Sequence, residues 1–289
     1  MCGMLPQTGG TRFKMRVMTI ENPQGWMRWA DLSTQDFTEL ARERAVAVLP
    51  VGATEQHGPH LPLSVDTDLV DGVMAHASAA WDGDFPVLTL PTQAIGFSPE
   101  HGKFAGTLSL SSTTLIRLWT EIAESVYASG VRKLLLLNAH GGQVGALDLV
   151  ARDLRHRLGM LVVSSSWFQL PLGVEVMAPF DAHEQRFGVH AGQMETAMML
   201  ALSPERVAMT KAQRFPSSSE QRARTYPVLG NGRSAKLAWQ AQDLNPSGAV
   251  GDAAAATAAD GARVLQAAAA SLCQLLKDIG QLPASTLNG

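Results

Sequence analysis

Between Thr54 and Val70 the chain reads TEQHGPHLPLSVDTDLV. Glu55, His57, His60, Asp66 and Asp68 are gathered there around glycine and proline, directly after the apolar run AVAVLPVG. Glu55 and His57 are two positions apart, so an extended backbone projects both side chains to the same side. Asp66 opens a helical pattern after a proline-stiffened turn that can fold back over them. Carboxylate oxygens combined with imidazole nitrogens suit zinc, manganese or iron(II) rather than copper(I). The competing reading is a polar turn with helix caps that is merely rich in His and Asp.

Three further stretches carry the same residue types. In LLLLNAHGGQ, His140 stands just past an apolar run, and Gly141 and Gly142 permit close approach of a ligand or backbone. That histidine reads as a metal ligand or as a helix cap, and the glycines also allow a phosphate-cradling loop. The spacing misses G-x-G-x-x-G and no GKS or GKT follows, which weakens nucleotide binding. In HAGQMET, His190 and Glu195 can face one cleft if His190 precedes the first helical turn. In IGFSPEHGKFAGT, Ser98, Glu100 and His101 form either a substrate loop or a polar turn.

Placement favours chemistry. His57, His60, His101, His140 and His190 fall in four short motifs, whereas His76 and His156 sit inside helical patterns and His183 lies in a polar loop. Two carboxylates and two histidines sharing one aspartate match the ligand count for two metals about 3.5–4 Å apart bridged by hydroxide. Such a pair hydrolyses amides or esters. A serine triad fits worse, because G-x-S-x-G is absent and no cysteine lies beside a histidine.

The elements that must position these groups alternate. Strands are expected at residues 45–51, 85–91, 133–138 and 160–167, with helices at 66–81, 112–130 and 145–159 between them. Continuous apolar strands separated by helices predict a three-layer α/β/α sandwich with a mostly parallel central sheet. In such sheets ligands bind outside the carboxyl ends of the strands, where the motifs of Glu55 and His140 emerge. Residues 180–243 read as polar and irregular, interrupted by one helix at HAGQMETAMMLALS. The Ala-rich end reads as a surface or oligomer-contact helix with Gly261 as a break.

The 289 residues carry a formal charge of −3, and 46% are hydrophobic against 17% charged, an ordinary globular balance without the basic tracts that nucleic acid requires. No apolar run approaches the roughly 20 residues of a membrane span. Cys2 and Cys273 stand at opposite ends, which excludes a disulfide framework and fits a cytoplasmic protein. Residues 1–17 read as a disordered leader, with Met15 or Met18 as alternative starts, ahead of a single domain over 18–289.

The motifs LPVGATEQHGPHLPLSVDTD, GFSPEHGKFAGTLSL, LLLLNAHGG, HAGQMETAMML and SGAVGDAAAAT occur in the order found in the creatininase (creatinine amidohydrolase) family, and the chain resembles it from Ala45 to Ala256. The resemblance implies an α/β/α fold, two divalent ions per subunit (zinc, manganese or iron(II)), hydrolysis of non-peptide C–N bonds, and a ring-shaped homo-oligomer, commonly a hexamer. It assigns Glu55, His57, Asp66 and His140 as metal ligands, with Asp66 as the bridge.

In creatininase proper the strand-end histidine is followed by Tyr and then by a Glu ligand. Gly141 and Gly142 stand there, so the missing carboxylate is expected from Glu195, as in members with HGG and a downstream HAGxxET. His190 lies where the family has its proton-shuttling histidine and would serve as general acid. Ser98, Glu100, His101, Gly141 and Trp167 are candidates for substrate contact.

EQRFGV replaces the Trp-Asp pair of creatininase proper, which argues against creatinine as substrate. The HGG members include formamide-cleaving deformylases and a peptidase maturing mycofactocin. The expected activity is therefore cleavage of a small cyclic amide, lactam or formamide by a metal-bridging hydroxide. The alternatives are a mycofactocin-type peptidase and a non-catalytic metal-binding ring subunit.

Overall fold

The computed structural model describes residues 25–283 together with 286 and 287; the expectation for residues 1–17 lies outside them. Five strands form one parallel sheet: β1 (Trp26–Arg28), β2 (Val46–Val51), β3 (Val87–Thr89), β4 (Lys133–Asn138) and β5 (Leu161–Ser166). Their spatial order is β1-β3-β2-β4-β5. The short β6 (Arg214–Phe215) and β7 (Gly251–Asp252) pair antiparallel beside it. In chain order the helices are α1 (Asp36–Glu39), α2 (Val65–Ala80), α3 (Ser112–Ala128), α4 (Val144–Leu158), α5 (Val174–Met177), α6 (Ala182–Phe187), α7 (Gln193–Leu202), α8 (Ser218–Thr225), α9 (Ala241–Leu244) and α10 (Ala258–Gln281).

The central strands β2 and β4 are apolar and buried because both faces are covered. Along β2, Val46 and Val48 join one core with α2, α7 and α10, while Ala47, Leu49 and Val51 join the other with α3 and α4. β4 divides in the same way, Leu135 and Leu137 against Leu134 and Leu136. This alternation is the period-two geometry of a strand, and it yields the expected α/β/α sandwich.

Chain direction sets where a ligand can sit. From β2 the chain crosses through α2 to β3 on one side, and from β4 it crosses through α4 to β5 on the other. The strand order reverses between β2 and β4, which opens a crevice at their carboxyl ends. The register pairs Val51 with Asn138, and Asn138 with Ser166, so three strands finish level.

β1 was not anticipated, since three residues are too few to show a period. The expectation of a single helix within residues 180–243 fails, because α6, α8 and α9 lie there besides α7. α10 keeps an exposed face, but its other face is anchored in the core. Val264, Leu265, Ala268, Leu272, Leu276 and Ile279 are buried along it, and it packs against α2 and α7. Gly261 does not break it. A Cβ there would overlap the Ala197 carbonyl, so this glycine lets α10 and α7 touch backbone to backbone.

Candidate metal centre

Four candidate residues leave the sheet ends. After β2 the backbone turns so that the Glu55 N–H donates to Leu63 O at 2.9 Å, which folds the segment before α2 back over the strand end. Glu55 and His57 are fully buried, and Asp66, in the first turn of α2, is 2% exposed. His140 follows β4 and is fixed through Asn138. Its N–H donates to Asn138 Oδ1 at 3.0 Å, and Asn138 Nδ2 donates to His140 O at 2.7 Å and to Ser166 Oγ at 3.0 Å. Gln143 Nε2 donates to Asn138 Oδ1 and to Gly52 O, at 2.9 and 3.1 Å, tying the ends of β2 and β4 together.

A fifth residue arrives from α7. Glu195 Oε2 lies 3.9 Å from His57 Nε2, and His57 Nε2 lies 3.5 Å from Asp66 Oδ1. On the other side of Asp66, His140 Nδ1 lies 3.6 Å from Asp66 Oδ2 and 3.1 Å from Glu55 Oε1. Three ligand triads result, Glu55–Asp66–His140, His57–Asp66–Glu195 and Glu55–His57–His190, each with its donor atoms within 4.8 Å of one another. Asp66 belongs to the first two, one oxygen turned to each.

The donor set fits cations. Glu55 Oε1 and Oε2, His57 Nε2 and Asp66 Oδ2 are buried without a hydrogen-bond partner. Buried polar atoms are normally paired, and an unpaired group costs on the order of 1–3 kcal/mol or more when charged. Among the described residues no Lys or Arg forms an ion pair with Glu55, Asp66 or Glu195.

Charge is therefore forced onto the histidines. Burial opposes protonation of His57, yet Asp66, Glu195 and Glu55 push it up to about 9. His140 is likewise raised against burial, chiefly by Glu55, Glu100 and Asp66. Burial alone would raise the Glu55 carboxyl, but the His140 imidazolium beside it holds it below the usual carboxylate range. Asp66 is pushed up by burial and Glu55, and Glu195 to about 7 by burial against the pull of His57. Protons thus fill places that divalent cations would fill better, and metal binding would expel them.

His190 sits against this cluster with a fixed orientation. Its Nε2–H donates to Gln56 O at 2.7 Å, an arrangement that leaves Nδ1 unprotonated in the neutral ring and 3.9 Å from Glu55 Oε1. Burial, with His57 and His101 nearby, pulls its pKa well below the ordinary value, so the ring is neutral. The next residue, Ala191, has φ +52, a left-handed conformation costing a non-glycine residue about 1 kcal/mol. Its N–H donates to Glu195 Oε2 at 2.6 Å, so the same turn aims both His190 and Glu195.

The tentative substrate residues separate. His101 is buried, with Nε2 3.3 Å from Glu55 Oε1, and Gln56 Nε2 donates to its Nδ1 at 2.7 Å. Glu100 lies behind His140, its Oε1 3.4 Å from Nε2, in space that a Cβ on Gly142 would occupy. Ser98 is buried, with Oγ 3.5 Å from His140 Nε2. Gly141 is exposed, and a Cβ on it would meet nothing within 4 Å. Trp167 is 2% exposed in the core, its Nε1 unpartnered.

Elsewhere, His60 Nε2 reaches Thr196 Oγ1 at 2.9 Å, and Asp68 pairs with Arg206 at 2.8 Å. His183 pairs with Glu220 at 3.2 Å, and His76 Nδ1 donates to Gly72 O at 2.8 Å. Sequence reasoning missed Gln56, Asn138, Gln143 and Glu184. Only Gln56 carried a signal, its place between two candidate ligands.

Known proteins resemble this chain in sequence and in fold. Residues 30–276 match the Creatininase family, described as creatinine amidohydrolase. The mycofactocin precursor peptide peptidase of Mycobacterium tuberculosis is 33% identical over 243 residues, covering 82% of this chain and 86% of that protein. The creatinine amidohydrolase of Pseudomonas putida is 28% identical over 222 residues, covering 71% and 80%. The solved structure "Creatininase Mn" superposes with a TM-score of 0.70 at 23% identity, over 88% of this chain and 99% of that one. This last likeness speaks to the fold.

Proposed function

The chain belongs to the creatininase family, and on that premise we propose that it is a metal-dependent hydrolase of amide C–N bonds acting through a two-ion centre. The observation that carries the reading is the pair of triads that share Asp66, in which Glu55, His57 Nε2 and Asp66 Oδ2 are buried without a hydrogen-bond partner. Glu55, Asp66 and His140 would hold one ion, and His57, Asp66 and Glu195 the other. Zinc, manganese or iron(II) bound there would acidify water and polarise a carbonyl oxygen.

The chain's own residues supply the proton path. His190, neutral and with Nδ1 turned toward Glu55, would take at Nδ1 the proton given up by the attacking water and return it to the leaving nitrogen. Gln56 O holds the opposite nitrogen, so the ring cannot present its N–H to the substrate before it has taken a proton. His101 sets its Nε2 3.3 Å from Glu55 Oε1, and Glu100 supports His140 from behind.

Two substrate classes follow from the relatives. A small cyclic amide, lactam or formamide corresponds to creatininase chemistry on non-peptide C–N bonds. A short peptide is favoured by the higher identity to the M. tuberculosis peptidase, 33% against 28% for the P. putida creatinine amidohydrolase. The open space beside Gly141 leaves room for the longer chain. The HGG sequence and a ring-shaped homo-oligomer belong to the same reading. The intact five-ligand set counts against a non-catalytic subunit.

The test is a hydrolysis screen of metal-loaded protein against creatinine, other cyclic amides, formamides and short peptides, with metal analysis alongside. Cleavage lost on chelation and restored by divalent metal supports the proposal. Fewer than about one ion per chain, with activity indifferent to chelator, would sink it.

A further inference from the structure

Glu184 is a buried carboxylate that neither the metal reading nor the proton path uses. It lies on α6 and is 7% exposed. Its Oε1 accepts the N–H of Gln193, the first residue of α7, at 2.7 Å. Its Oε2 accepts the N–H of Asp252 on β7 at 2.8 Å. No Lys or Arg forms an ion pair with it among the described residues. Its own backbone is pinned, since its N–H donates to the Asp181 N-cap at 2.7 Å.

The chain makes room for this carboxylate. A Cβ on Gly192 or Gly251 would lie 2.5 Å from Oε1, and one on Gly188 would overlap it. Three segments therefore converge on one side chain: the end of α6, the turn into α7, and β7. Beside them the Val250 N–H donates to His190 O at 2.9 Å. Burying a carboxylate is costly, and an apolar side chain would fill the same volume more cheaply. What an apolar residue could not do is hold two backbone N–H groups at once, one of them on the strained turn through Ala191.

We propose that Glu184 is a positioning residue that holds the turn from His190 to Glu195 against the sheet-end ligands, so that the triad containing Glu195 is complete. The inference rests on the two-ion reading above. It predicts an asymmetry: loss of Glu184 weakens the ion held by His57, Asp66 and Glu195 and spares the one held by Glu55, Asp66 and His140.

Two variants test it. Glu184→Gln keeps the shape but presents an amide N–H₂ to one of the two N–H donors. Gly188→Ala keeps the charge, and because Gly188 has φ −84 the new methyl meets the Glu184 carboxylate without straining the backbone. Metal-free wild type and both variants are titrated with cobalt(II), following the visible spectrum and bound metal, with thermal melting recorded in parallel.

Wild type is expected to take two ions. The variants are expected to take the first with unchanged affinity and the second roughly tenfold or more weakly. Equal weakening of both ions would mark a merely structural role and overturn the inference, as would wild-type affinity at both. A wild type that never takes two ions would overturn the two-ion reading itself, and this inference with it.

Discussion

The two halves of the centre are built in different ways. Glu55, His57, Asp66 and His140 leave the ends of β2 and β4, where Asn138 and Gln143 lock the strands and the backbone has little freedom. His190 and Glu195 come from a turn and a helix placed by tertiary contacts: Glu184 on the preceding helix, and, remote in sequence, Val250 and the glycine contact between α7 and α10. The sheet-end half is fixed by secondary structure, the helical half by tertiary packing. Metal binding should therefore be harder to abolish from the helical side than from the sheet.

The largest effect is expected at the residue that joins the halves. Asp66→Ala removes a ligand from both triads, so bound metal should fall to near zero and hydrolysis by roughly three orders of magnitude or more. Retention of two ions, read by elemental analysis, would break the bridging role. Glu195→Gln comes next and separates the halves. It should leave about one ion per chain, held by Glu55, Asp66 and His140, and lower activity strongly. If both ions leave together, the halves are not independent.

His190→Ala sharpens the same contrast from the other direction. It should keep both ions and lower kcat by about a hundredfold or more, since the proton carrier alone is lost. A change confined to KM would remove His190 from proton transfer.

Legibility followed the same division. The apolar runs of β2 and β4 and the capped helix α3 could be read because their periodicity is local, and the dense motif at residues 54–70 signals a strand end. Glu55, His57, Asp66, His140 and Glu195, named from resemblance, lie close together in the structure. Glu184 could not be read, because one glutamate in EQRFGV looks like any solvated helix charge. Its burial depends on three glycines, the farthest at Gly251. α10 misled for a related reason: alanine-rich composition signals helix without saying which face is covered. β1 is too short to show any pattern.

The smallest expected effect concerns His60, which buttresses α7 through Thr196. Burial, with His57 nearby, pulls its pKa down to about 4. The unfolded chain, with histidine near 6.5, then binds more protons between pH 4 and 6.5. Its contribution to stability is complete above about pH 6.5 and is lost as pH falls toward 4. In metal-free protein, His60→Gln should reduce the stability lost between pH 6.5 and 4 by roughly 1–3 kcal/mol, measured by denaturant melts. An unchanged pH dependence would remove His60 from that linkage.

The central claim, that Asp66 stands between two divalent ions, is tested most directly by anomalous diffraction from crystals of zinc-loaded protein. The account predicts two anomalous peaks, one bounded by Glu55, Asp66 and His140 and the other by His57, Asp66 and Glu195. A single peak, or two peaks of which one lacks Asp66 as a ligand, would contradict it.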